Sequence, residues 1–466
     1  MRIHRRTSVL LLLAGTLLGG CASVDSPRPP DSGLPDQLSF QADAGQALTE
    51  VPVHWWESFH DAELNQLVSA GLEQNYSLQA AWARLARSRA VWRQTGADKY
   101  PDLNLSLSKS RKWREDVTAD LWSAGLSTEY ELDFWGRISA LDEQSRLTAL
   151  ASEAAVRTQA NTVAGQIALN WYGLLMQQEN LQLLQTQQQR LEAALQVVRG
   201  RFQRGQVAIS DVWQQEQLLE SVNTSIISAR ADYAAYQQQL ALWSGNSAWF
   251  ALDQAGPALR GQSLPALGEA VTQVDLQAVA LRPDVEQAWL SVQAANAGLA
   301  AAVANRYPRF TLSASYSGED EDLGQVMDNW VGNLAGALVF PLIDGGNRRA
   351  VVAQNKAAVE EQLASYQQTL LDAAQEVQQA LITEQQSADS LLSIGRRLEL
   401  ARQTESFQNN RYRKGVGDFL SLLNAQQDVI SLEQQVLSAR WSRIQNRIQL
   451  FRAVSHGNFL RKEASA

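Results

Sequence analysis

Cysteine is almost missing from this 466-residue chain: Cys21 is the only one. An internal disulfide is therefore impossible, and no cysteine cluster is available to hold a metal. Histidine is scarce too, at His4, His54, His60 and His456. His54 and His60 stand six apart, without the helical spacing or acidic partner of a metal-hydrolase motif. No nucleophile elbow or phosphate loop occurs. Glu129 and Glu131 are paired carboxylates, but their place on one face of a strand suits the lining of a lumen better than acid–base chemistry. The chain is thus not expected to be an enzyme. Long apolar runs are also lacking: beyond the first twenty residues none approaches the roughly 18 that signal a transmembrane helix. If the chain crosses a membrane, strands must do it. Positive charge is in the minority, with a formal net charge of −9, which argues against nucleic acid as a partner.

What is present begins with an export signal over residues 1–20. Arg2, Arg5 and Arg6 form a basic start, and Ser8 to Leu18 is an apolar run ending in Gly19 and Gly20. That run is shorter than the roughly 20 residues a spanning helix needs, so it reads as a cleaved signal. Cleavage removes three arginines and no acids, taking the formal charge from −9 to −12. The sequence Leu18-Gly19-Gly20-Cys21 resembles the bacterial lipobox. The resemblance implies a diacylglycerol on the Cys21 thiol and an acylated amino terminus, and several acyl chains anchor stably where one is marginal. Ala22 in place of an aspartate resembles the outer-membrane members of that class. No other cofactor is implied. Residues 21–54, rich in Ser, Pro, Asp and Gln, cannot bury a core and are expected to be an extended tether.

The remainder is a duplication. Asn75 to Trp82 is echoed by Arg282 to Trp289, and Tyr100-Pro101 by Tyr307-Pro308, at an offset of 207. Arg201-Phe202-Gln203-Arg204-Gly205 is echoed by Arg411-Tyr412-Arg413-Lys414-Gly415 at 210. Comparison of the strand-to-helix junctions assigns the small insertion mostly to the second hairpin. The expected domains are repeat 1 over 55–250, a linker over 251–266, repeat 2 over 267–455, and a tail over 456–466. Each copy should hold a helix near 75–98 or 282–306, stopped by Tyr-Pro because proline disfavours helix before it. Two alternating stretches come next, then a long helix over 138–203 or 348–413, a glycine tip, and a return helix over 209–244 or 419–454. Leu174, Leu181, Leu184, Leu191, Leu195, Val198 and Phe202 step by sevens, threes and fours, as do Leu363, Tyr366, Leu370, Ala373, Val377 and Ala380. That spacing is coiled-coil packing. Each long helix should reach roughly 100 Å, with polar faces that suit the wall of a water-filled tube.

The alternating stretches have the period of two of strands with unlike faces. Leu103, Leu105 and Leu107 alternate with Asn104, Ser106 and Ser108; Trp122 to Leu132, Phe310 to Tyr316 and Trp330 to Phe340 behave alike. Near-ten-residue lengths, apolar against small polar faces, and terminal aromatics mark membrane-barrel strands. Four strands cannot close a barrel. Two copies would give eight strands and a filled barrel, three would give twelve and room for a lumen, and cyclic symmetry would close either ring.

Trp55-Trp56-x-x-Phe59-x-Asp61-x-x-Leu64, Leu132-Asp133-Phe134-Trp135-Gly136-Arg137, Leu281-Arg282-Pro283-Asp284-Val285 and Phe340-Pro341-Leu342-Ile343-Asp344-Gly345-Gly346-Asn347-Arg348 together resemble the TolC-like outer-membrane factors of the lipoprotein efflux type. The resemblance covers essentially the whole mature chain. It implies a fold that is mainly α with a membrane β-barrel portion: a homotrimer whose twelve-stranded barrel continues as a periplasmic α-helical barrel. It also implies an outer-membrane location, docking to an inner-membrane transporter through a periplasmic adaptor, and passive exit of substrates. Related lipoproteins carry a leucine and, four residues on, an aspartate that project into the lumen after the second tip. The matching positions are Leu420 and Asn424, so the acidic ring is absent, and Asp418 in the turn is the candidate replacement. The alternative is a coiled-coil spacer lipoprotein without a pore, which would have no use for lipid-facing strands.

Overall fold

The computed structural model describes residues 27–30, 37–39, 46–48, 52–114, 117–250, 259, 262–326 and 328–457. The export signal and Cys21 lie outside these residues. The first half holds strands β1 (Gln37–Ser39) and β2 (Gln46–Leu48), helices α1 (Ala62–Gln74) and α2 (Tyr76–Ala97), strands β3 (Asn104–Arg114) and β4 (Val117–Leu132), and helices α3 (Arg137–Gln203) and α4 (Ile209–Ser244). The second holds strand β5 (Val271–Asp275), helices α5 (Leu276–Ala280) and α6 (Pro283–Ala304), strands β6 (Arg309–Asp320) and β7 (Trp330–Val339), and helices α7 (Asn347–Arg413) and α8 (Phe419–Val454). The duplication is metrical: α3 and α7 have 67 residues each, and α4 and α8 have 36 each. Four residues, 133–136, join β4 to α3, whereas seven, 340–346, join β7 to α7. The three extra residues thus lie in this junction rather than in the hairpin, where motif matching puts them.

The chain divides into two compact units, one of residues 1–31, 83–154 and 286–368, the other of residues 32–82, 155–285 and 369–466. In the first unit the sheet order is β3-β4-β6-β7, antiparallel throughout. Register puts Leu105 opposite Leu126 and Leu126 opposite Tyr316, while Ala314 faces Leu334, so these side chains share one face. Leu105 is 78% exposed and Leu334 73%. A contiguous apolar face left open in this way marks an interaction site, here with a sheet's worth of area. The other face carries Ser106, Gly125 and Ser317, with Asn104, Ser127, Ser315 and Asn333 in the next row. Hairpin β3–β4 runs past its hydropathic alternation because Lys109 and Arg111 fall on the apolar face. They pair there with Asp120 of β4, Lys109 at 3.1 Å and Arg111 Nη2 at 2.7 Å. At the other end aromatic rings gather: Trp135 stacks on Tyr307 at 4.8 Å and donates to the Pro308 carbonyl, and Phe134 meets Phe310 edge-on.

In the second unit, β1 and β2 flank β5. The tether is therefore not featureless, since two three-residue stretches of it add strands to β5, pieces too short to show a period of two. The Trp55–Phe59 turn (a 3₁₀ helix) buries Trp55, Trp56 and Phe59. Asp61 then caps α1 by accepting from Glu63 N and Leu64 N, and also accepts from Trp171 Nε1 at 2.7 Å. The Leu281-to-Val285 motif works similarly. Pro283 opens α6, where a missing N–H is harmless. Buried Arg282 donates to Asp284, Glu376 and the Ala453 carbonyl. The seam of α3 is buried at Leu174, Leu184, Leu191, Leu195 and Val198, but Phe202 at its end is 41% exposed.

Candidate functional site

The two glycine tips have the same internal wiring. After α3, Gly205 (φ 69°) donates to the Phe202 carbonyl and Gln206 N to that of Arg201; after α7, Gly415 (φ 76°) donates to Tyr412 and Val416 N to Arg411. This is the Schellman pattern, which needs a left-handed residue just past the helix and so selects glycine. The tips differ at the residue that caps the return helix. Ala208 before α4 makes no side-chain cap, whereas Asp418 before α8 accepts from Ser421 N at 2.8 Å and Ser421 Oγ at 2.7 Å. Those two bonds hold the Asp418 carboxyl below its ordinary pKa, so it caps the helix as an anion.

Phe419, Leu422 and Leu423 join a core with Leu184, Leu191, Leu195, Val198, Val212, Leu218, Val222 and Ile226. Leu420 and Asn424, four apart, lie on the face of α8 that this core leaves open: Leu420 is 56% exposed and Asn424 is exposed. Three further contacts tie copy one to copy two here. The Arg201 guanidinium lies 4.2 Å from the centre of the Tyr412 ring and donates to the Tyr412 and Arg413 carbonyls.

Deeper in the same helices, Glu433 of α8 accepts from Gln187 (2.9 Å) and Arg190 (2.6 Å) of α3 and from Arg402 (3.1 Å) of α7. Its side chain is 7% exposed, and both arginines are about half exposed. Repeat matching missed this hub, although Val429, Glu433 and Leu437 keep a seam spacing of four, and a glutamate on an apolar seam was the available signal. Burial opposes ionisation of Glu433, but the three hydrogen bonds outweigh it and hold its carboxyl below the usual range. Glu405 nearby is pushed up, first by burial and also by the Glu433 charge. The signs are opposite. A depressed glutamate contributes stability above its unfolded pKa of roughly 4.3 and loses it as pH falls through the folded value. A raised one destabilises when ionised and is relieved by protonation. Thermal unfolding of solubilised protein between pH 3 and pH 8 should therefore show Glu405→Gln more stable than wild type at neutral pH. Glu433→Gln should be less stable at neutral pH and less steeply weakened by acid. Parallel curves for all three proteins would refute the assignment.

An antiparallel sheet with one open apolar face accompanies long helices that end in matched glycine tips. The chain belongs to the outer membrane efflux protein family, whose profile matches residues 67–246 and 276–456, one block in each copy. It is a transport protein of the bacterial outer membrane. Among relatives, the pyoverdine export outer membrane protein OpmQ of Pseudomonas aeruginosa is 27% identical over 462 residues, 96% of each chain. The cation efflux system protein CusC of Escherichia coli O157:H7 is 26% identical over 453 residues, 94% of this chain and 96% of that one. The solved structure of the outer-membrane channel OprN shares the fold with a TM-score of 0.85 at 24% identity, covering 93% of this chain and 99% of that one.

Proposed function

We propose that three copies of this chain form the outer-membrane exit channel of a tripartite efflux system. The channel is a passive conduit, served by an inner-membrane transporter through a periplasmic adaptor. The observation that carries this reading is the open four-stranded sheet. Its apolar face is exposed, and its edge strands β3 and β7 have no partner strand on their outer sides among the described residues. Because direction alternates from β3 to β7, laying β7 of one copy beside β3 of the next continues antiparallel pairing without a break. Closing the ring removes the exposed edges, and twelve strands leave room for a lumen that eight would fill. The helices then continue as a periplasmic tube, repeat 1 (55–250) and repeat 2 (267–455) each supplying one sixth of it. Cys21 carries the lipid anchor. Relatives whose names specify pyoverdine export and cation efflux support small solutes as cargo. Unheated gel electrophoresis and planar-bilayer recording of the purified protein test the proposal; a monomeric, non-conducting species would sink it.

Leu420 and Asn424 form the gate in this reading, supported by their exposure on one face of α8 beside the second tip. Asp418 places a fixed negative charge next to them, while three asparagines make a ring that neither repels itself nor titrates. Truncation by Leu420→Ala is expected to widen the constriction and raise single-channel conductance. Unchanged conductance would remove Leu420 from the gate.

A further inference from the structure

The two edges of the sheet differ in charge near its hairpin end, and the difference has a direction. Around the β6–β7 turn stand Glu319, Asp320, Glu321, Asp322 and Asp328. Glu319, Glu321, Asp322 and Asp328 are exposed, and no lysine or arginine among the described residues pairs with them. Two of the carboxylates shape the turn: Asp320 accepts from Asp322 N and Asp322 from Gly324 N. The end of β3 is basic, with Lys109, Arg111, Lys112 and Arg114 in six residues, and the sequence that follows it adds Glu115 and Asp116.

Within one chain these charges do not meet. The strand beside β6 is β4, not β3, and pairing ends at Trp122 opposite Asp320. From Val117 to Leu121, beyond that point, the only charge on β4 is Asp120, already held by Lys109 and Arg111. The basic strand lies on the far edge, and Lys112 there is exposed with no carboxylate partner among the described residues. The acidic turn precedes β7, the other edge. Each chain therefore carries basic side chains along the end of its β3 edge, Lys112 and Arg114 beyond those that Asp120 holds, and acidic ones at the turn into β7, at the same end of its sheet.

We propose that the acidic β6–β7 tip of one copy docks against the basic end of β3 in a second copy, an inference that rests on the ring of chains proposed above. Opposite charge would steer edge to edge in the productive order. It would disfavour the two wrong pairings, β3 with β3 and β7 with β7, by like-charge repulsion. The effect belongs to encounter and register more than to final stability, because exposed pairs are weak and salt screens them.

Reciprocal charge reversal tests this. Lys112→Glu with Arg114→Glu, Asp322→Lys with Asp328→Lys, and all four changes together would be made in the full-length protein. Each would be unfolded in urea and refolded into detergent, and trimer appearance timed on unheated gels at low and high salt. Either double variant should assemble about tenfold more slowly than wild type at low salt, and high salt should close the gap. The four-fold variant should return to within about twofold of wild type, an outcome that loss of local folding cannot produce. Equal rates for all proteins, or a four-fold variant as slow as either double, would overturn the charge-keyed seam and leave the channel intact. A wild-type chain that never trimerises would overturn the ring itself.

Discussion

Arg447→Met is expected to destabilise the protein by about 3–5 kcal/mol, the usual cost of leaving a buried charge without its partner. Glu384 of α7 has a fully buried side chain, and Arg447 of α8 is 10% exposed. Arg447 donates to Glu384 Oε1 through both Nε (2.8 Å) and Nη2, and its Nη2 also reaches the Glu269 carbonyl at 2.7 Å. Removing the guanidinium strands the carboxylate and frees that carbonyl. The adjacent Arg443 donates to the Gly268 carbonyl instead, and burial pushes its own pKa down. The control is Glu384→Leu combined with Arg447→Met. Apolar replacement of both partners should recover most of the loss, because neither desolvation penalty remains. Urea unfolding of the solubilised protein, followed by tryptophan fluorescence, would report both. A double variant no better than Arg447→Met alone would mean that packing, not charge, dominates the site.

Trp55→Ala should cost a similar amount, about 3–5 kcal/mol for an aromatic removed from a core. Trp55 is 0% exposed, sits edge-on to Trp56 at 5.7 Å, and donates through Nε1 to Asn161 Oδ1 at 3.1 Å. Asn161 in turn donates to the Arg452 carbonyl at 2.9 Å, so the indole ties the entry turn to both repeats. Trp55→Phe separates the contributions: most of the ring burial survives, and about 1 kcal/mol should be lost with the hydrogen bond. Thermal melts of the two variants decide it. If Trp55→Ala melts like wild type, the turn is an appendage and not an anchor.

Helices and turns were the legible part of this fold. Return helices expected over 209–244 and 419–454 occur at those residues, and the long helices start one residue earlier than expected. These limits could be read because glycine and Tyr-Pro act locally on the backbone. Strand ends were harder, since Lys109 and Arg111 break the apolar pattern while cross-strand pairing with Asp120 keeps β3 extended; a partner on the facing strand decided the local structure. Partners far away in sequence hid the polar anchors. Glu433, Glu384 and Arg447 sit where a seam reading expects apolar residues, and their partners lie 31 to 246 residues away in sequence. At the candidate gate, Leu420 and Asn424 were found through the resemblance to related lipoproteins, and Asp418 through its place in the turn before them. The capping bonds that hold Asp418 ionised needed coordinates. Cys21, the lipid-attachment candidate, lies outside the described residues and rests on its sequence context alone.

The equal helix lengths act as a gauge. With 67 residues in each outgoing helix and 36 in each return, and with Arg201 fastened to Tyr412 and Arg413 across the tips, neither arm can change length alone. A seven-residue deletion keeps the coiled-coil phase of one helix, but it draws that tip back by roughly 10 Å and tears it from its neighbour. Shortening is tolerable only when outgoing and return helices of both copies lose the same number of residues at facing positions. Any natural or engineered variant of different reach must therefore carry its insertions and deletions in matched sets of four.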